Sequence, residues 1–266
     1  MNLDIQREEL LISQLADLLK NDKHVAVGAA SPIPGAAALL AKEEAKFLNK
    51  RLRVTILHSN KYNNFTDGAR ELFDCAAQGR IDTFFLGGVQ IDGQANINLV
   101  GTGEYPKIKK RFPGSFGSAL MYFVVPQIIL FREEHSPRTL VKKVDFISAP
   151  GVSERGVYRP GGPKYLLTNR ALFKFNKNLQ KFSLFKINEK ETVKNLIKVT
   201  GFDFDVDNKI SQMPNPDTNR INILREKIAP MVSEFYPEFA NRIWGCLLYT
   251  SPSQRDRTRS RMPSSA

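Results

Sequence analysis

Three short, predominantly apolar runs constrain the fold more than any other feature of this chain. They lie in "HVAVGAA" (24–30), "RVTIL" (53–57) and "DTFFLGG" (82–88). A strand with one wet face alternates apolar and polar residues, whereas continuous apolar runs belong to strands buried on both sides. The stretches between them have helical character. Residues 7–20 place Leu11, Leu15, Leu18 and Leu19 at helical spacing. "PGAAALLAKEEAKFLNK" (34–50) is rich in strong helix formers, and Asp67 is placed to cap a helix reaching about Cys75. This order predicts an α/β fold with an open, mostly parallel sheet covered on both faces.

In the second half "QIILF" (127–131) and "VDFIS" (144–148) read as further strands. "YLLTNRALFKFNKNLQKFSLFKI" (165–187) has the rhythm of hairpins with Asn-containing turns. A helix over 190–201 closed by Gly201 follows, then another from Asp217 through Lys227. These features predict one domain over 1–245 with a smaller β-rich portion and no linker.

From Cys246 the text changes character. "CLLYTSPSQRDRTRSRMPSSA" sets Arg255, Arg257, Arg259 and Arg261 against Asp256 alone and has no apolar period. It resembles translated read-through of a sequencing adapter, which puts the natural end near Gly245 and makes 246–266 a non-native disordered tail. A genuine basic arm is the other reading. The net charge of +12 is thus partly the tail's, but the remainder is still basic and suits anionic ligands or an acidic partner. Met1 to Glu9 is polar and acidic rather than a secretory leader, no apolar run is long enough for a bilayer, and two cysteines make no disulfide framework. A cytoplasmic protein without membrane contact is expected. His24, His58 and His135 are scattered and neither cysteine has a close partner, so no metal is expected.

Four stretches break the core pattern. "VGAASPIPGAA" (27–37) is a strand, a small-residue loop and a helix start, where free amides can hold an anion. It has neither G-x-G-x-x-G nor a Walker lysine, and a tight turn explains it equally. The strand at 53–57 delivers His58, Ser59 and Asn60 to its carboxyl end, the side where open α/β sheets bind ligands. Histidine exchanges protons near neutral pH, which makes His58 a candidate base or donor beside Asn60. "GGVQIDGQANIN" (87–98) presents Gln90, Asp92, Asn96 and Asn98 after the paired Gly87 and Gly88. "RFPGSFGSA" (111–119) is a glycine loop whose amides suit an oxyanion, preceded by Lys107, Lys109, Lys110 and Arg111. Structural turns and a solvated basic edge are the alternatives for these two.

Taken in order, the last two stretches resemble the β subunits of family I coenzyme A transferases, most closely those of the glutaconate CoA-transferases. The similarity runs from about Glu8 to Ile228 and includes "FLGGVQIDGQANIN", "GTGEYPKIKKRFPGSFGSA", "VDFISAPG", "YLLTNRALFKF" and "TGFDFDV". The resemblance implies an open α/β sheet of the NagB/RpiA/CoA-transferase-like type and a related α-type subunit as partner. It also implies an acyl-CoA substrate, with coenzyme A entering as part of that substrate and no permanently bound cofactor. In that family a glutamate at the strand end attacks the thioester, an instance of covalent catalysis by a carboxylate. Matching "VTILHSNKY" to the family signature puts His58 in its place and Asn60 where glycine stands. An imidazole cannot form the family's acyl anhydride, so ordinary transfer is in question.

The chain is therefore also similar to the β-like subunit of the CoA-transferase-like hydrolases of steroid-ring degradation, which lacks that glutamate. The resemblance assigns Gly114, Ser115 and Gly117 to a substrate or oxyanion loop, with Phe116 where the family has glycine. It assigns Gly87, Gly88, Gln90, Asp92, Asn96 and Asn98 to the pocket or a subunit contact, with Ala95 replacing a glycine. Lys107, Lys109, Lys110 and Arg111 become candidates for the CoA phosphates. Transfer through another carboxylate, Asp92 or Glu104, is a competing reading, as is a non-catalytic or regulatory subunit of such a heteromer. Sugar-phosphate isomerisation or effector binding is a further one, since fold alone does not decide. Nucleic acid is not expected, for want of interleaved basic and aromatic residues.

Overall fold

The three runs form adjacent strands in a computed structural model, which describes residues 4–248, with backbone alone at 207–209 and 246–248. Following α1 (Arg7–Leu18) come β1 (His24–Val27), α2 (Pro32–Phe47), β2 (Arg53–Ile56), α3 (Gly68–Ala77) and β3 (Thr83–Leu86). Two small hairpins follow, β4 (Gln90–Ile91) with β5 (Ile97–Asn98) and β6 (Gly101–Thr102) with β7 (Lys110–Arg111). Then come α4 (Ser118–Val124), β8 (Gln127–Phe131), β9 (Pro163–Leu167), β10 (Ala171–Asn176), β11 (Lys181–Ile187), α5 (Val193–Val199) and β12 (Asp205–Gln212). The chain closes with α6 (Thr218–Asn222), a π-helical stretch Ile223–Ile228, α7 (Ala229–Ser233) and α8 (Pro237–Leu248).

One sheet takes the order β2-β1-β3-β8-β9-β10-β11-β12. Its first five strands are parallel, β9 to β11 form an antiparallel meander, and β12 runs parallel to β11. The smaller β-rich portion is thus not a separate body but the far half of this sheet, beside the two hairpins. Successive residues of each central strand feed opposite cores. Val25, Val27, Phe85 and Ile129 pack under α1, α2 and the C-terminal helices. Ala26, Phe84, Leu86, Ile128 and Leu130 pack with Leu72, Tyr122 and the Phe173–Phe182 cluster on the other face. Burial on both faces is why the runs show no polar alternation.

Two local expectations are corrected. Residues 144–148 form no strand. The Val144 and Asp145 amides go to the Asp92 and Gln90 side chains at 3.5 and 3.0 Å, and only Ser148 N finds a backbone partner, Ile97 O at 2.9 Å, so no ladder forms along the run. The helix capped by Asp217, whose carboxylate accepts from Arg220 N at 2.8 Å, is not closed at Lys227. It continues through the π stretch to Ser233, because Pro230 has no N–H for the preceding turn and the register widens ahead of it.

The C-terminal helices belong to the core. Glu9 is fully buried and accepts from Arg225 at 2.7 Å and Trp244 Nε1 at 3.2 Å. The expected tail falls outside the described residues apart from 246–248, which continue α8. No helix among the described residues is long and apolar enough to cross a membrane.

Candidate functional site

The chain leaves β1 to place β2 on one side and β3 on the other, so the loops after β1 and β3 diverge at their carboxyl ends. Open α/β sheets present a crevice at such a switch point. A cleft of about 500 Å³ lies there, walled by Gly28 and Ala29 after β1, Leu57 after β2, and Phe84–Gly87 of β3. Leu72 and Phe73 of α3, Leu99, and the loop Gly114–Phe116 complete it. A second cleft of about 580 Å³ adjoins it across Ser31, Phe85, Leu86, Gly87 and Leu99, and extends to Gly88 and Arg132–Glu134. In that neighbour Glu134 is held to a pKa of about 2, first by its bonds from Arg138 and then Ser136.

The turn after β2 is braced by its own side chains. Ser59 is buried, and its Oγ accepts from the amides of Lys61 at 3.2 Å and Tyr62 at 3.0 Å. Asn63 Nδ2 donates to Leu57 O at 3.3 Å. This leaves His58 and Asn60 exposed. The His58 imidazole stacks on the Tyr236 ring, with centroids 5.2 Å apart and planes 10° apart. Neither His58 nor Asn60 is part of the cleft lining, but Leu57, one residue away, is. Tyr236 reaches across to the β1 loop, where its hydroxyl accepts from Ser31 N at 2.9 Å. Burial pushes the Tyr236 phenol up, against the pull of the Ser31 and Ala30 amides. One residue from the last helices thus ties two site loops together.

The helix start after β1 is poor in free donors. Pro32 and Pro34 have no N–H, Ser31 N serves Tyr236, and Gly35 N serves Ser31 O at 2.9 Å. A tight turn accounts for "VGAASPIPGAA" without an anion.

The glycine loop differs. Gly114 N donates to Leu99 O at 3.2 Å and Ser118 N to Ser115 O. Among the described residues the N–H groups of Ser115, Phe116 and Gly117 make no hydrogen bond. Gly117 has φ +67°, and a Cβ there would lie 2.2 Å from Phe73 Cζ, so only glycine lets the loop sit against α3. Phe116 is 81% exposed at the cleft rim, its ring 5.8 Å from that of Phe73.

The polar string after β3 is turned inward. Asp92 Oδ1 accepts from the amides of Gln94 and Asn96, both at 3.0 Å, and Oδ2 from Asn96 Nδ2 at 3.1 Å. Asn96 Oδ1 accepts from Gly151 N at 3.0 Å. Asn98 Nδ2 donates to Gln90 Oε1 at 2.8 Å and Gly101 O at 2.7 Å. All four residues are buried, and none lines either cleft, whereas Gly87 lines both and Gly88 the second. Asp92, with both oxygens engaged, is not placed to attack a ligand. Ala95 takes a left-handed conformation, φ +61°, which glycine would adopt without strain. Lys107, Lys109, Lys110 and Arg111 are exposed on the β6–β7 hairpin with Glu104, and none of the four cations pairs with a carboxylate among the described residues. Sequence reasoning missed Tyr236, Asn63, Phe73 and Leu99. Only Asn63 carried a local signal, as an amide just after the strand end.

A family model described as coenzyme A transferase matches residues 6–160. The β subunit of glutaconate CoA-transferase from Acidaminococcus fermentans is 31% identical over 153 residues, 55% of this chain and 56% of that protein. The chain thus spans little more than half the length of the curated relative it matches. The crystal structure of glutaconate CoA-transferase from that organism superposes with TM-score 0.74 at 22% identity, covering 87% of this chain and 97% of that one. The decarboxylase AibA/AibB superposes with TM-score 0.71 at 23% identity over 84% and 94% of the two chains. IpdAB from Rhodococcus jostii RHA1 gives TM-score 0.70 at 20% identity over 84% and 94%. At these identities the likeness to solved structures is one of fold.

Proposed function

The chain belongs to the coenzyme A transferase family, and from that premise we propose that it is the β-like subunit of a heteromer acting on an acyl-CoA thioester by hydrolytic carbon–carbon cleavage rather than CoA transfer. The observation that carries this reading is an exposed imidazole at 58, where the family signature has its nucleophilic carboxylate, next to a cleft whose lining includes Ser115 and Phe116, both with unpartnered N–H groups. An α-type subunit is the partner. In this reading water adds to a ketone carbonyl β to the thioester, with His58 taking its proton. Collapse of the adduct breaks the carbon–carbon bond, and the electron pair moves onto the thioester as an enolate. The Ser115 and Phe116 amides hold the enolate oxygen, the role of preorganised donors. Return of the proton to the enolate carbon gives a carboxylate and a shortened acyl-CoA.

Co-expression with an α-type chain is expected to yield a stable heteromer that cleaves a β-keto acyl-CoA, while this chain alone transfers no CoA. A covalent CoA adduct trapped by borohydride on the single chain would overturn the reading. His58→Ala should lower turnover of the heteromer without weakening assembly, and unchanged turnover makes His58 structural. Gain of CoA transfer in His58→Glu would show that the rest of the transferase pocket persists.

A further inference from the structure

The cleft at the switch point has no charged side chain in its lining. Its walls are chiefly hydrocarbon: Leu57, Leu72, Phe84, Leu99 and Met121, with Phe116 at the rim. The polar side chains among its lining residues are few and partly committed. Asn63 gives its amide N–H to Leu57 O and accepts from Phe65 N at 3.2 Å, and Ser31 Oγ donates to Ala29 O at 3.3 Å. Of the side chains, the Ser115 and Ser118 hydroxyls are left for a ligand, beside the Ser115 and Phe116 N–H groups assigned above to the thioester oxygen.

We propose that this cleft takes the acyl portion of the thioester as an uncharged hydrocarbon group and rejects acyl groups that end in a carboxylate, an inference that rests on the function proposed above. A carboxylate entering such a lining sheds its water and meets no cation, and with the loop amides occupied by the thioester oxygen two hydroxyls do not return that cost. A methylene gains instead, about fourfold in affinity for each one buried. The volume of about 500 Å³ is that of a small-molecule pocket. The anionic part of the ligand belongs outside it. The exposed Lys107, Lys109, Lys110 and Arg111 sit on a hairpin whose second strand leads through Phe112 and Pro113 to Gly114 in the cleft wall.

Pentanoyl-CoA and glutaryl-CoA have acyl groups of equal length and differ in the terminal carboxylate. Each, with free CoA and propanoyl-CoA, is titrated calorimetrically into the full-length chain and its heteromer at fixed ionic strength. Pentanoyl-CoA is expected to bind about tenfold or more tighter than glutaryl-CoA, and tighter than propanoyl-CoA by about fourfold per methylene. Equal or tighter binding of glutaryl-CoA overturns the proposal. So does affinity indifferent to chain length. Both outcomes leave the proposed function standing, because a thioester is still bound. Binding of no thioester overturns the two together. Leu99→Arg, which adds a cation to the wall, should shift preference toward glutaryl-CoA. Phe116→Ser, at an exposed site that tolerates change, should weaken pentanoyl-CoA severalfold and spare free CoA. If neither variant alters the preference, the acyl group lies elsewhere and the proposal fails.

Discussion

Replacing Gly117 by alanine tests the glycine loop at its tightest point. Gly117 has φ +67° as the N-cap of α4, so an alanine there takes up a left-handed conformation at a cost of about 1–2 kcal/mol. Roughly 0.5–1 kcal/mol of that is offset by the stiffer unfolded chain. The larger cost is steric. The new Cβ would lie 2.2 Å from Phe73 Cζ and 2.5 Å from Cε1, both in an aromatic ring. Phe73 is only partly buried, so its ring swings out and the backbone is spared, which suits an overpacking cost of about 1–3 kcal/mol. The sum is roughly 1–4 kcal/mol, read by urea denaturation of the full-length chain. A double-mutant cycle with Phe73→Ala separates the two parts, since removing the ring relieves the clash and leaves the dihedral. A coupling of about 1–3 kcal/mol is expected. A Gly117→Ala chain within about 0.5 kcal/mol of wild type, or a cycle without coupling, refutes the claim that Phe73 demands this glycine.

Three further outcomes are expected. Tyr236→Phe keeps the ring on His58 but removes the acceptor for Ser31 N, which should cost about 1–2 kcal/mol in denaturation and lower turnover of the heteromer. Preserved stability and turnover would remove the phenol's role in tying the two loops. His135 lies between the Thr168 and Thr200 hydroxyls at 2.8 Å each, and burial lowers its pKa from 6.5 to about 4. The unfolded imidazole takes up its proton first, so this contribution is whole above about 6.5 and declines as pH falls toward 4, by roughly 3 kcal/mol in all. Asp22, raised to about 6 chiefly by burial, acts in the opposite sense, so the test is the change in pH slope in His135→Gln and not the slope itself. An identical slope in the variant would contradict the assignment. Arg225→Met leaves the fully buried Glu9 without its cation and should cost about 3–5 kcal/mol by the same denaturation assay. A loss below about 1 kcal/mol would show that this pair does not hold the C-terminal helices to α1.

The parallel half of the fold was legible in the sequence because its signals are local. A strand covered on both faces is mostly apolar whichever helix covers it, so β1, β2, β3 and β8 stood out. Helical spacing and propensity likewise marked α1 and α2 to within a few residues. The "VDFIS" run failed as a strand for a different reason. Its composition is that of a strand, but the Gln90 and Asp92 side chains, more than fifty residues earlier, take its amides. The string after β3 was conspicuous for its amides and carboxylate, yet pattern alone did not say whether they face a ligand or their own backbone.

What the amino-acid sequence determined alone is the α/β class, the order of the parallel strands along the chain, and the family motifs with histidine at position 58. Tertiary structure decided which loops meet. It set β3 on the far side of β1, opened the cleft there, and folded the β-rich half onto the same sheet. It also brought Tyr236 from the last helices to His58 and Ser31. Propensity and periodicity are properties of neighbouring residues. Contacts between residues two hundred positions apart depend on the free energy of the whole packed chain, to which no short window has access.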